Sequence, residues 1–265
     1  MSSDTIGREH AETELIQKNR ALRMLSNTNQ ILIHAPDEAS LLDRVCNILV
    51  ETGGYRLAWV GFAENDAEKS VRSVAYAGID SGYIGSLKLS WADAPRGRGP
   101  SGTAIRTGKP SISRDIAADP AMAPWKEEAL KRGYRSSIAL PLASGGKPFG
   151  MLAVYSTEPD AFLEEELKIL EELADDLSFG ITSLRAEAER RSLEERFKMI
   201  FENATDGIIL VDPDTTKFML VNKAICAMLG YIPPKSSSRY RLRTSTLRKI
   251  CRMFWSSSTG RCGAR

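Results

Sequence analysis

Residues 133–156 read GYRSSIALPLASGGKPFGMLAVYS. Two runs rich in apolar and β-branched residues, Arg135–Leu142 and Phe149–Ser156, flank a cluster of turn formers from Ala143 to Pro148. Runs of that length around a Gly-containing turn predict a β-hairpin. Working outward, Tyr55–Ala63 (YRLAWVGFA) has strand composition, the polar AENDAEKS makes a turn, and Val71–Ala77 alternates as a partner strand. A third extended stretch is expected at Ser86–Trp91 and a short strand at Ser111–Asp115. A Gly/Pro-rich loop, Pro95–Pro100, leads to a short helix, Ser101–Thr107, closed by Gly108; a second short helix, Trp125–Lys131, precedes Gly133. An amphipathic helix carrying Leu41, Leu42, Val45, Ile48 and Leu49 ends at Gly53-Gly54. Strands in hairpin order with helices at both ends predict an α+β fold around a central antiparallel sheet.

Two longer helices are expected outside that sheet. Residues 11–33 place Leu15, Leu22, Leu25 and Leu32 on a heptad stripe interrupted by Lys18 and Asn29. From Phe162 onward, Leu167, Leu170, Ala174, Leu177, Ile181, Leu184 and Ala188 keep a 3-4 spacing, which then meets Arg191 and Glu195. Leu193 and Phe197 restart it out of register, so a phase break is expected near residues 189–195. The first half should pack on the sheet, and Ile181–Arg196 should self-associate.

Of the 265 residues, 42% are hydrophobic and 26% charged, which excludes wholesale disorder. Apolar runs such as Gly207–Val211 are far short of the ~20 residues that span a bilayer. The first thirty residues show no apolar signal-peptide core, and four cysteines without CxxC spacing do not make a disulfide framework. A cytoplasmic location is therefore expected, with no membrane partner. The net charge of +2 conceals a split: Ile232–Arg265 holds nine basic and no acidic residues, leaving 27 basic against 34 acidic in the first 231.

GRGPSGTAIRTGKPSISRDIAADP (97–120) and GYRSSIALPLASGGKPFGMLAVYS (133–156) together resemble a GAF domain, a small sensory module. The first resembles that family's Gly-x-x-Gly-x-x-x-x-x-Gly-x-Pro element with its following Asp; the second resembles its final hairpin. Further on, RFKMIFENATDGIILVDPDTTKFMLVNKAICAMLGY (196–231) resembles the opening of a PAS domain. After Tyr231 no further alternating strand is readable. A run of 34 residues without an acid has a chance of roughly 0.5% at the body's composition. The tail is expected to be out-of-frame translation or disordered, rather than a basic arm for nucleic acid or anionic lipid.

The resemblance implies this organisation: residues 1–36 a dimerisation helix, 37–183 the GAF domain, 184–196 a connecting signalling helix, 197–231 a truncated PAS domain, 232–265 a basic tail. It implies a sensory module of a signal-transduction protein, of the two-component or cyclic-dinucleotide kind. The GAF domain would bind a small ligand and pass the signal through a dimeric helix to a PAS or output domain. The alternative is a structural dimerisation module with a closed, ligand-free core. It also places Trp59, Tyr76, Trp91, Asp115, Trp125, Tyr134, Arg135 and Ser137 near a pocket. Asp115 and Arg135 could grip a zwitterion or nucleotide, or could pair with each other.

No catalytic residue, metal ligand or cofactor is expected. Gly97-Arg-Gly-Pro-Ser-Gly102 matches GxGxxG, but no buried strand precedes it and Asp119 sits in a loop, so the βαβ context of a dinucleotide site is missing. His10 and His34 have no ligating neighbours. Some GAF-fold enzymes reduce methionine sulfoxide with several cysteines around the pocket. Between residues 37 and 183 only Cys46 is present, on an apolar helix face.

Overall fold

The computed structural model describes Met24, Ile31, residues 34–212 and residues 218–228. The heptad leucines at 15, 22, 25 and 32, the segment around Tyr231 and the basic tail lie outside the described residues. The chain divides into two compact units, Met1–Ala186 and Glu187–Arg265, each taken by itself.

The first unit opens with α1 (Glu38–Glu51), capped by Asp37, whose carboxylate accepts from the Ser40 N–H at 2.8 Å. Then come β1 (Leu57–Ala63), β2 (Val71–Gly78), the single turn α2 (Tyr83–Ser86), α3 (Pro100–Thr107), β3 (Ser111–Ser113), α4 (Lys126–Lys131), β4 (Ser136–Ser144) and β5 (Lys147–Ser156). The strands form one antiparallel sheet in the order β2-β1-β5-β4-β3. The β4–β5 turn is tighter than the six residues expected. Ala143 pairs with Pro148 and Ser144 with Lys147, leaving Gly145 and Gly146 at φ 57° and 76°. Positive φ at both central residues is what a two-residue type I′ turn demands, and glycine adopts it without strain.

The third extended stretch is corrected. Residues 83–86 are helical, and of the rest only Ser90 bridges to Ser70. Lys88, at φ 43°, turns the backbone out of the extended region.

Alternation gives the sheet two buried faces. Val60, Phe62, Leu140, Leu152 and Val154 point toward α1 and α5 (Glu164–Asn203), where Leu170, Leu177 and Ile181 are fully buried. Each such leucine contributes about 1.5–3 kcal/mol. Arg185 on α5 reaches Glu38 on α1 through two hydrogen bonds of 2.8 and 2.7 Å. Leu57, Trp59, Ala139, Met151, Ala153 and Tyr155 point the other way, into a second cluster with Tyr83, Ile105 and Trp125.

The backbone of α5 continues through the expected phase break. Glu187, at that point, takes ion pairs from Arg190 at 2.9 Å and Arg191 at 2.8 Å, and Arg190 also pairs with Glu194. Pairs three and four residues apart support a helix whose apolar stripe has run out. Ile181 is buried and Leu184 half-buried on the sheet, so the stretch expected to self-associate has its first two apolar residues already used.

In the second unit, β6 (Ile209–Val211) and β7 (Phe218–Val221) pair antiparallel, and α6 (Lys223–Met228) follows. Asn222 ties them together: its Oδ1 accepts from the N–H groups of Ile208 and Ile225, and its Nδ2 donates to the Asp206 carbonyl. Val221, Ile225 and Cys226 form a small core.

Candidate functional site

The sheet face away from α1 and α5 is built in rows of directly opposed residues. One row runs Leu57, Tyr155, Ser137, Ser113; the next runs Tyr76, Trp59, Ala153, Ala139, Ser111. The two alanines make a low floor between Trp59 and the polar row. Above it the rings of Tyr83, Tyr134 and Tyr155 contact one another with centroids 5.0–5.7 Å apart.

Buried polar atoms are nearly always hydrogen-bonded. Among the described residues six buried side-chain atoms have no such partner, and four of them belong to this face: Trp59 Nε1, Tyr83 Oη, Ser113 Oγ and Ser137 Oγ. Trp59 and Tyr83 do approach the Tyr155 hydroxyl. Burial pushes that hydroxyl up to about 12, and their proximity pulls partly against the burial, but neither contact meets hydrogen-bond geometry. Burial likewise raises Tyr83 and Tyr134. Among the described residues no charged side chain is buried on this face, and the Arg132 guanidinium lies 5.5 Å from the Tyr83 ring.

A cleft of about 650 Å³ opens beside the edge strand β2, lined by Trp59, Ser73, Ile84, Leu87, Leu89 and Arg96 among others. Its outer wall is the 84–90 segment. Trp125 donates its indole N–H to the Leu87 carbonyl at 2.8 Å, and Arg96 Nη1 donates to the same oxygen at 3.1 Å.

The glycines of the GxGxxG match explain themselves here. A Cβ at Gly97 would lie 1.8 Å from the Ala92 carbonyl oxygen, one at Gly102 2.4 Å from those of Gly97 and Ser90, and one at Gly99 2.5 Å from the Trp125 ring. They permit close approach of backbone and ring.

Of the eight residues expected at a pocket, Trp59, Trp125, Tyr134 and Ser137 come together on this face. Tyr134 donates its hydroxyl to the Ile79 carbonyl. Trp91 packs at the rim, its indole N–H donating to the Glu64 carbonyl at 2.9 Å and the Lys69 ammonium 4.5 Å above its ring. Tyr76 sits opposite Trp59 but on the edge strand, 55% exposed. Asp115 Oδ1 accepts from the Ala117 N–H at 3.0 Å and turns the loop after β3. Arg135 is exposed, and among the described residues no ion pair joins it to Asp115, so the two do not pair with each other. Sequence reasoning does not single out Tyr83, Ser113 or Tyr155. Ser113 and Ser137 do leave a signal, hydroxyls at inward positions of otherwise apolar strands.

The GAF family model matches residues 35–182, more than half of the chain. This chain belongs to the GAF domain family. A PAS domain follows, its family model matching residues 195–254 and so running past Tyr231 into the basic segment. The methyl sulfide methyltransferase-associated sensor of Methanosarcina acetivorans is 34% identical over 131 residues, 49% of this chain but 13% of that much longer protein. Among solved structures, the GAF domain of a phosphoenolpyruvate-protein phosphotransferase from Coxiella burnetii superposes with a TM-score of 0.53 at 24% identity, covering 64% of this chain and 97% of that one. The free methionine-R-sulfoxide reductase of Neisseria meningitidis, solved with its substrate, gives 0.52 at 22% identity over 63% of this chain and 91% of that one. At those identities the likeness shows the GAF fold alone. The GAF and PAS domains and the sensor-named relative make this a signalling sensor module.

Proposed function

We propose that the GAF domain takes an uncharged small molecule on the Trp59–Tyr155 face, reached through the cleft beside β2, and reports it through α5. The carrying observation is the convergence of four unpartnered polar atoms on one buried aromatic face. Ligand sites are typically apolar with a few directed polar groups, which is the make-up of this face. No charged side chain is buried on this face, and the neighbouring Arg132 guanidinium, 5.5 Å from the Tyr83 ring, is already paired with Glu128, so burying a charged ligand here would cost far more than burying a neutral one.

The route outward is short. Along β5, Met151, Ala153 and Tyr155 face the site, while Leu152 and Val154, one residue away, pack in the cluster that holds Leu170 and Leu177 of α5. A shift of β5 on ligand binding is felt by the helix, an element of the kind signals bias. Exposed Leu193, Phe197 and Ile200 further along α5 suit a second copy of the chain, with the N-terminal helix as the other dimer contact and an output domain as the recipient. A thiol reductase activity is disfavoured by Cys46, which is buried and has its thiol pushed up to about 12 by desolvation and Asp43.

A second reading, a ligand-free structural module, has its own observation: Trp59, Tyr83 and Tyr134 are each at most 1% exposed, so protein side chains fill much of this face. The double variant Ser113→Ala/Ser137→Ala separates the two. In a closed core, removing two unpartnered hydroxyls leaves stability unchanged or raises it, and no small molecule shifts Tm. In a ligand site, uncharged compounds from a thermal-shift screen stabilise the wild type, and the double variant loses that response.

A further inference from the structure

A second groove, of about 590 Å³, shares no lining residue with the cleft beside β2. It lies where the start of β1, the end of β2 and the end of α4 meet, lined by Arg56, Ile79, Ser81, Glu128, Lys131 and Arg132. Three of these are cations and one is a carboxylate. That carboxylate is shared between two of the cations: Glu128 Oε1 accepts from Lys131 and Oε2 from Arg132, each at 2.7 Å. The rest of the Arg132 guanidinium is also engaged, Nε donating to the Asp80 carbonyl at 3.0 Å and Nη2 to that of Ser81 at 2.8 Å.

Arg56 is the cation left over. Its Nε is buried without a hydrogen-bond partner, and no carboxylate among the described residues pairs with it. Its backbone is held on both sides. The Arg56 N–H donates to the Tyr155 carbonyl at 2.9 Å, and its own carbonyl accepts from the Ile79 N–H at 3.0 Å. At Gly78, with φ 95°, a Cβ would lie 2.3 Å from that carbonyl oxygen. The guanidinium is therefore mounted on fixed backbone in a groove whose other two cations already share one carboxylate, which leaves the groove net positive. A buried N–H on a cation, with nothing to accept it, costs the full desolvation of that group. What would remove the cost is an acceptor with negative charge, and the planar guanidinium fork matches a carboxylate or phosphate. Lys131 has two further N–H groups beyond the one given to Glu128.

We propose that this groove binds a small free oxyanion, a carboxylate or a phosphate, with Arg56 as the recognising fork and Lys131 as a second donor. Its lining is separate from that of the cleft beside β2, although Arg132 lies 5.5 Å from the Tyr83 ring and the Ile79 carbonyl accepts from the Tyr134 hydroxyl.

The test is a thermal-shift titration of the full chain with inorganic phosphate and, in a parallel arm, acetate. Sodium chloride at matched ionic strength removes general screening. A saturable rise in Tm above the chloride control is expected in at least one arm, and the arm that saturates names the oxyanion. Arg56→Gln should raise the titration midpoint tenfold or more. Glu128→Gln, which frees Lys131 and Arg132, should lower it several-fold, and this variant decides the matter if Arg56→Gln does not fold. Neither anion exceeding chloride, Arg56→Gln titrating like wild type, or Glu128→Gln leaving the midpoint unmoved would overturn the proposal.

Discussion

Trp125, the N-cap residue of α4, donates its indole N–H to the carbonyl of Leu87, 38 residues earlier in the chain, across 2.8 Å. The same ring covers Gly99 at the start of α3, so one side chain ties the cleft's outer wall to the helix above the sheet. Replacing it with Phe keeps most of the ring and removes the donor. Arg96 still serves the Leu87 carbonyl, so the loss should be modest, about 1 kcal/mol. Urea denaturation gives that figure, and hydrogen exchange should show faster opening of residues 84–90 than of β4 and β5.

The glycine pattern before α3 yields a sharper expectation. Gly102→Ala would drive a methyl to 2.4 Å from two backbone carbonyl oxygens, neither of which is a flexible side-chain end. Destabilisation of about 1–3 kcal/mol is expected from this overpacking. Added dinucleotide should not alter it, whereas a phosphate-binding loop would show protection of the wild type.

The Glu128 ion pairs carry a pH signature. Arg132 and then Lys131 hold its carboxyl down from its ordinary 4.5 to about 2. A depressed carboxylate contributes stability above its unfolded pKa and loses it as the pH falls through the folded one. The Tm gap between wild type and Glu128→Gln should therefore be flat above about pH 5 and close as the pH drops toward about 2. A gap that widens on acidification would contradict the pairing.

Two leucines on α5 should behave oppositely. Leu177→Ala empties a fully buried position in the core under the sheet and should cost about 2–5 kcal/mol. Leu193→Ala, at a position 58% exposed, should change unfolding of the dilute chain by at most about 0.5 kcal/mol. If α5 joins two copies, Leu193→Ala weakens association in sedimentation equilibrium; an unchanged profile removes that stretch from the dimer.

Period-2 runs make the sheet legible in the amino-acid sequence, because apolar alternation and glycine turns act over a few residues. The β4–β5 hairpin and the helix expected from Ser101, which starts one residue earlier at Pro100, follow from such local chemistry. Ser86–Trp91 misleads for the same reason: its composition suits a strand, yet Lys88 at positive φ and tertiary ties to Trp125 and Arg96 decide its path. The candidate site is half legible. Large aromatics such as Trp59 and Trp125 announce burial by type, but Tyr76 and Trp59 look alike in sequence, and only strand order puts one at an open edge and the other in the interior. Asp115 and Arg135 suggest a charge pair because both flank predicted strands. The strand β4 begins at Ser136, which leaves Arg135 exposed just outside it while Ser136 and Ser137 are buried.

The most direct test of the ligand-binding claim is native mass spectrometry of the chain beside its Trp59→Phe variant, which keeps an aromatic ring but deletes the unpartnered indole N–H. The account predicts a reproducible additional small-molecule mass on the wild type, reduced or lost in the variant. The bare chain mass in both, from gently prepared samples supplied with the hits of the thermal screen, would contradict it and leave the GAF domain as a closed structural module.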